Sequence, residues 1–106
     1  MIIIRNKIIP FPGYAAITIG EFVFVRRKVI TDELRNHEAI HVRQWRELLY
    51  VFFIPVYVLE YLFRLLQYRN HDKAYRNISL EREAYDNERN PDYLKGRRLY
   101  SWRKYL

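Results

Sequence analysis

A chain of 106 residues without cysteine has no disulfide framework and no thiolate metal site, so any zinc site in it must be built from His, Asp and Glu. Half of the residues are hydrophobic, enough for one small domain over 1–106, in which a bound metal would supplement a modest core. The net charge of +7 is spread along the chain, which suits plain solubility, an anionic membrane surface or nucleic acid.

The opening "MIIIRNKIIPFPG" is not a signal peptide. Its apolar run is three residues, a charge follows, and no small-residue cleavage site appears, so a cytoplasmic protein beginning at Met1 is expected. "IIIRNKII" reads as a strand, and "FPG" at 11–13 as a turn. "YAAITI" and "EFVFVRR" follow, separated at Gly20. In the second, Phe22 and Phe24 alternate with Val23 and Val25, which predicts burial on both faces. Two or three strands in a small sheet are expected.

From Thr31 the period changes. "TDEL" offers Thr31 or Asp32 as a helix N-cap with Glu33 in the first turn. Leu34, His37, Ile40 or His41, Trp45 and Leu48 or Leu49 recur at three- and four-residue spacing, one face of a helix, and no Gly or Pro falls between 31 and 54. The stretch 48–66, "LLYVFFIPVYVLEYLFRLL", is the most apolar. Its uninterrupted run, Leu48 to Leu59, is twelve residues, against about 20 for a membrane span. Glu60 and Arg64 have ion-pair spacing, and Pro55 is expected to kink a helix or begin one. A buried helix packed behind the first is predicted, with a membrane-interfacial helix as the alternative.

"RNHDKAYRNISLEREAYDNERNP" is polar again. Asn77 or Ser79 is a potential cap for a helix reaching about Glu88, stopped before Pro91. Residues 91–106 form a basic, aromatic tail with no assigned element. Strands followed by helices give an α+β fold, a small N-terminal sheet of two or three strands followed by helices.

The stretch "HEAIH", 37–41, carries the chemistry. On a helix His37 and His41 stack one turn apart and can present two imidazoles to one metal ion. Glu38, rotated by one residue, cannot share that metal but can reach a water on it, as general base and then as proton carrier to the leaving amine. A third ligand is still needed. Glu47 stands six residues after His41, but Gln44 keeps the helix going and points Glu47 about 120° away from His41. His71, in a polar stretch, reads as a surface residue. "LEREAY", 80–85, offers Glu81 and Glu83, which a helix points in different directions, so only one can serve. Ala84, three residues after Glu81, permits a close helix approach and favours Glu81, leaving Glu83 outside or in an ion pair.

These residues resemble the gluzincins, zinc metallopeptidases with two histidines from HExxH and a glutamate from a later helix. "HEAIHVRQ" with "EREAY" is similar to single-domain minigluzincins and to small bacterial domains carrying HExxHxxQ and Glu-x-Glu-Ala. The resemblance covers the order of elements over 14–90 and implies a small sheet followed by an active-site helix, a backing helix and a glutamate helix. It implies that His37, His41 and Glu81 bind Zn2+, that Glu38 is the catalytic base, and that a peptide or protein substrate pairs with a sheet-edge strand within 20–27. The family's Asp after the Ala, which orients a zinc-bound histidine, is replaced by Tyr85. The site then needs another orienting group, or catalysis is weak. Tyr75, Tyr85, Tyr93 and His71 are the conceivable transition-state donors, and the tail offers a plug for the cleft, as in latent members of the family.

Two other functions compete with a peptidase. One is an inactive, metal-stabilised scaffold. The other is a basic interaction module, which the Arg, Tyr and Trp of the tail would suit for nucleic acid or an anionic membrane. No nucleic-acid motif is present. Contact with a membrane surface is also offered by 48–66.

Overall fold

Three short strands, β1 (Ile2–Arg5), β2 (Ala16–Ile19) and β3 (Phe22–Val25), form a sheet in the order β1-β3-β2 in the computed structural model. The structure describes residues 1–7, 15–26 and 29–106; the turn expected at 11–13 lies outside them. Gly20 and Glu21 alone separate β2 from β3, and Gly20 takes the positive φ, +63°, that so tight a turn requires. β3 pairs antiparallel with β2 and parallel with β1, so it is the central strand. A substrate-pairing edge within 20–27 is therefore excluded over Phe22–Val25. β1 and β2 are the edge strands, and β2 is the one that contacts the first helix.

Only one face of β3 is buried, which corrects the two-sided expectation. Val23 and Val25 are buried with Val42, Leu34, Ile30 and Ile3, whereas Phe22 is 45% exposed. The reason is layering: the first helix packs on the valine face.

That helix, α1, runs Asp32–Glu47. Thr31 is its cap, its Oγ1 accepting from the Leu34 N–H at 3.1 Å, and Asp32 and Glu33 place negative charge at the positive end of the dipole. Leu49 and Tyr50 then take φ of 55° and 63°, reversing the chain. The next helix, α2, runs Phe53–Tyr68. Pro55 sits in its first turn, where no intrahelical N–H bond is lost.

α2 is not the buried helix expected. Only Phe53 is fully buried, while Val56, Tyr57 and Tyr61 pack on a core of Trp45, Phe53, Ile78 and Leu80. Its other face, including Leu59, Phe63 and Leu66, is exposed. The position behind α1 is taken by a later helix, which leaves α2 at the periphery. No helix among the described residues is long and apolar enough to cross a membrane.

The polar stretch after α2 contains a short helix, α3 (His71–Arg76), that its hydropathy did not announce. Asn70 caps it, accepting from the Lys73 N–H, and Asn77 closes its far end. The glutamate helix, α4, runs Ser79–Asn87 and packs on α1 with Ala84 fully buried. Neither Asn77 nor Ser79 is its N-cap. Instead the Glu60 carboxylate reaches from α2 to accept the Ser79 N–H at 2.6 Å and the Ser79 hydroxyl. The tail contains α5 (Tyr93–Gly96) and a short 3-10 helix (Ser101–Tyr105) that packs on α4, with Trp102 against the core.

Candidate metal centre

α1 and α4 face each other through polar side chains, an arrangement that needs specific pairing because buried polar groups are costly when unmet. His37, Glu38, His41 and Gln44 from α1 and Glu81 and Glu83 from α4 are all at most 6% exposed. His37 Nε2 lies 3.3 Å and His41 Nε2 3.0 Å from the same oxygen, Glu81 Oε1. Ligand atoms of the three residues all lie within 4.8 Å of one another, a group suited to holding a metal ion. The edge of a zinc tetrahedron with N and O ligands is about 3.3 Å, so the two distances to Glu81 already have that scale.

The outer atoms of the triad are held too. His41 Nδ1 lies 2.8 Å from Gln44 Oε1, and His37 Nδ1 lies 3.0 Å from Glu88 Oε2. An Nδ1 proton donated to each acceptor leaves Nε2 as the free donor atom, the tautomer a metal ligand needs. Tyr57 donates to Glu81 Oε2 at 2.8 Å, which turns Oε1 toward the imidazoles. The donor set and its orientation therefore fit a metal such as zinc.

Charge follows this geometry. Burial works to keep His41 neutral, but the adjoining Glu81 carboxylate outweighs burial and pushes its pKa up to about 9. Burial likewise opposes ionisation of Glu81, and the two histidines overcome it, holding the carboxyl well below its ordinary range. Without a metal the cluster is thus an internal ion pair.

Glu38 stands outside the triad. Thr18 Oγ1 of β2 donates to Glu38 Oε2 at 2.6 Å. Glu38 and Tyr75 line two cavities. The larger, about 420 Å³, also has His41, Glu81, Tyr57 and Thr18 on its polar side. Its apolar side is formed by Ile17, Ile19, Trp45, Phe53 and Ile54. The smaller, about 210 Å³, adjoins His37, Tyr85 and Glu88. β2 borders the larger cavity over its whole length.

No family model, curated protein or solved structure matches the chain.

The remaining sequence candidates fall elsewhere. Glu83 is fully buried, but Arg97, Tyr93 and Gln44 hold it rather than a metal position. Glu47 points into a bidentate pair with Arg97, at 2.8 and 2.9 Å. His71 Nδ1 is bonded to the Tyr61 hydroxyl at 2.9 Å, outside the triad. Tyr93 is committed to Glu83. Tyr85, where the resembled family has Asp, packs edge-on against the His37 ring at 4.6 Å. Glu88 supplies the acceptor instead. No residue of 91–106 lines the larger cavity, so the tail does not plug it.

Gln44, Glu88, Asn36 and Tyr57 were missed as site residues. Gln44 is three residues after His41, and Glu88 is seven after Glu81, both same-face helical spacings that were readable in the sequence. Asn36 Nδ2 bonds the carbonyls of Asn87, Glu88 and Asn90, tying the end of α4 to α1 beside His37. Tyr57 comes from α2 and carries no local signal.

Proposed function

We propose that the chain is a zinc-dependent peptidase-like domain of gluzincin type, with His37, His41 and Glu81 as ligands and Glu38 as general base. The observation that carries this reading is the convergence of both Nε2 atoms on Glu81 Oε1 beside a cavity that Glu38 also lines. Zinc, when bound, supplies the positive charge that acidifies a water and polarises a peptide carbonyl. Glu38 takes the proton from the attacking water and delivers it to the leaving amine. Thr18 holds Glu38 Oε2, leaving Oε1 to exchange that proton. Tyr75 lines the cavity with its hydroxyl in a side-chain hydrogen bond with Tyr85, and burial, then Glu81, raises its pKa so that it keeps its proton for donation to the substrate.

An extended peptide suits the cleft because the outer edge of β2 offers backbone hydrogen bonds along its border. The apolar side favours a bulky apolar side chain in the substrate. The test is cleavage of a quenched-fluorescent peptide mixture by zinc-loaded protein. Glu38→Gln should abolish cleavage and retain zinc. A zinc-loaded wild type that cleaves nothing would leave the metal-stabilised scaffold as the function.

A further inference from the structure

Ten large apolar residues between Leu49 and Leu66 are 45–79% exposed. They form the α1–α2 corner and the outward face of α2. An apolar surface of this extent marks an interaction site on a small protein. The same segment contains two charges, Glu60 and Arg64. These pair with each other at 3.6 Å, are about 10% exposed, and Glu60 is further tied to Ser79. The outward face is therefore apolar without an exposed charge.

Its ends are cationic. At the corner, Arg43 is gathered with Leu49, Leu99 and Tyr100 around one surface hollow, beside Arg46, which is held by Glu21 at 2.6 Å. Two acids lie there and both are paired: Glu21 with Arg46, and Glu47, which is 4% exposed, with Arg97; Arg98 is exposed next to Leu99. At the far end Arg69 is exposed immediately after α2. An apolar face between arginines meets both of its needs at an anionic bilayer surface, where acyl chains accept the side chains and headgroups the charges. A second copy would satisfy the apolar part only, while bringing one +7 chain against another.

We infer that this face docks on anionic lipid, with α2 lying in the plane of the interface. Ile54 belongs both to the exposed face and to the wall of the larger cavity, so docking sets the cleft mouth at the lipid surface. Where the peptidase reading holds, the cleft is offered chain segments lying at the membrane; the docking itself does not depend on that reading.

The experiment is co-sedimentation of the full chain with vesicles of equimolar phosphatidylcholine and phosphatidylserine, compared with phosphatidylcholine alone. Binding is expected to the mixed vesicles and to weaken with salt. Leu59→Glu with Phe63→Glu, at positions 68% and 60% exposed, should keep the circular dichroism of the wild type. Those two changes should lower partitioning on the order of a hundredfold. Arg43→Gln and Arg98→Gln should each lower it on the order of fivefold. Phe63→Trp should shift its emission to the blue when mixed vesicles are added. Equal partitioning to both lipids, partitioning unchanged by the two glutamates, or a lipid-indifferent dimer that they dissociate would overturn the inference. Zinc content and peptide cleavage measured without vesicles stay at wild-type level in the glutamate variant, so failure here is distinct from failure of the peptidase reading.

Discussion

Gln44 Oε1 lies 2.8 Å from His41 Nδ1, and the amide nitrogen of the same side chain donates to Glu83 Oε1 and to the Leu80 carbonyl, each at 2.9 Å. One side chain thus fixes the His41 tautomer from α1 and is itself fixed by α4. Removing such an orienting group typically costs 10–100-fold in metal affinity, by rough precedent. Gln44→Leu should lose about that factor in a zinc competition titration, with circular dichroism showing that the fold is kept. Unchanged affinity in the folded variant would show that the Gln44 acceptor does not orient His41.

Arg97 joins the tail to this arrangement. Its guanidinium is 2% exposed and spans Glu83, which is fully buried, and Glu47, which is 4% exposed. Taking away the cation leaves two buried carboxylates unpaired, a change that costs about 3–5 kcal/mol. Arg97→Met should show a loss of that order in urea unfolding. A loss under about 1 kcal/mol would place the pair in the inexpensive class of surface bridges.

The raised pKa of His41 sets a pH window. Its value lies above the ordinary 6.5, at about 9, because Glu81 outweighs the effect of burial. The ion pair therefore stabilises the metal-free protein fully below about 6.5, and that contribution is lost as pH rises through about 9. Metal binding has the opposite sign. A ligand imidazole must be neutral, so binding releases a proton and zinc affinity climbs with pH across the same window. Titrations at pH 7 and pH 8 should differ about tenfold for one released proton. Identical affinities would mean that His41 is already neutral in the metal-free protein.

Tyr75 borders both cavities beside Glu38. In the role proposed for it, donor to the developing oxyanion, it would be needed in the transition state and not for holding metal. Tyr75→Phe should therefore lower kcat roughly 10²-fold with zinc content and KM unchanged. A variant that loses zinc as well would give Tyr75 a structural role.

Much of the site was legible because helical spacing is local. His37, Glu38 and His41 announced themselves on α1, and Ala84 pointed to Glu81 over Glu83, whose expected ion pair is the one with Arg97. Strands before helices gave the α+β class. What failed depended on tertiary packing. Both faces of "EFVFV" are equally apolar, so composition did not tell which one the helix would cover. Apolar content predicted a buried α2, yet its outward residues are exposed among the described residues. The Glu60 cap on α4 and the Tyr57 bond to Glu81 join residues 19 and 24 apart, beyond any local periodicity.

The most direct test of the account is metal content after zinc loading and exhaustive dialysis, read by elemental analysis on wild type, His37→Ala and Glu81→Ala. One zinc per wild-type chain is expected, and loss of zinc in both variants, with circular dichroism confirming that each remains folded. A wild type that retains no zinc, or a folded Glu81→Ala that binds it as tightly as wild type, would contradict it.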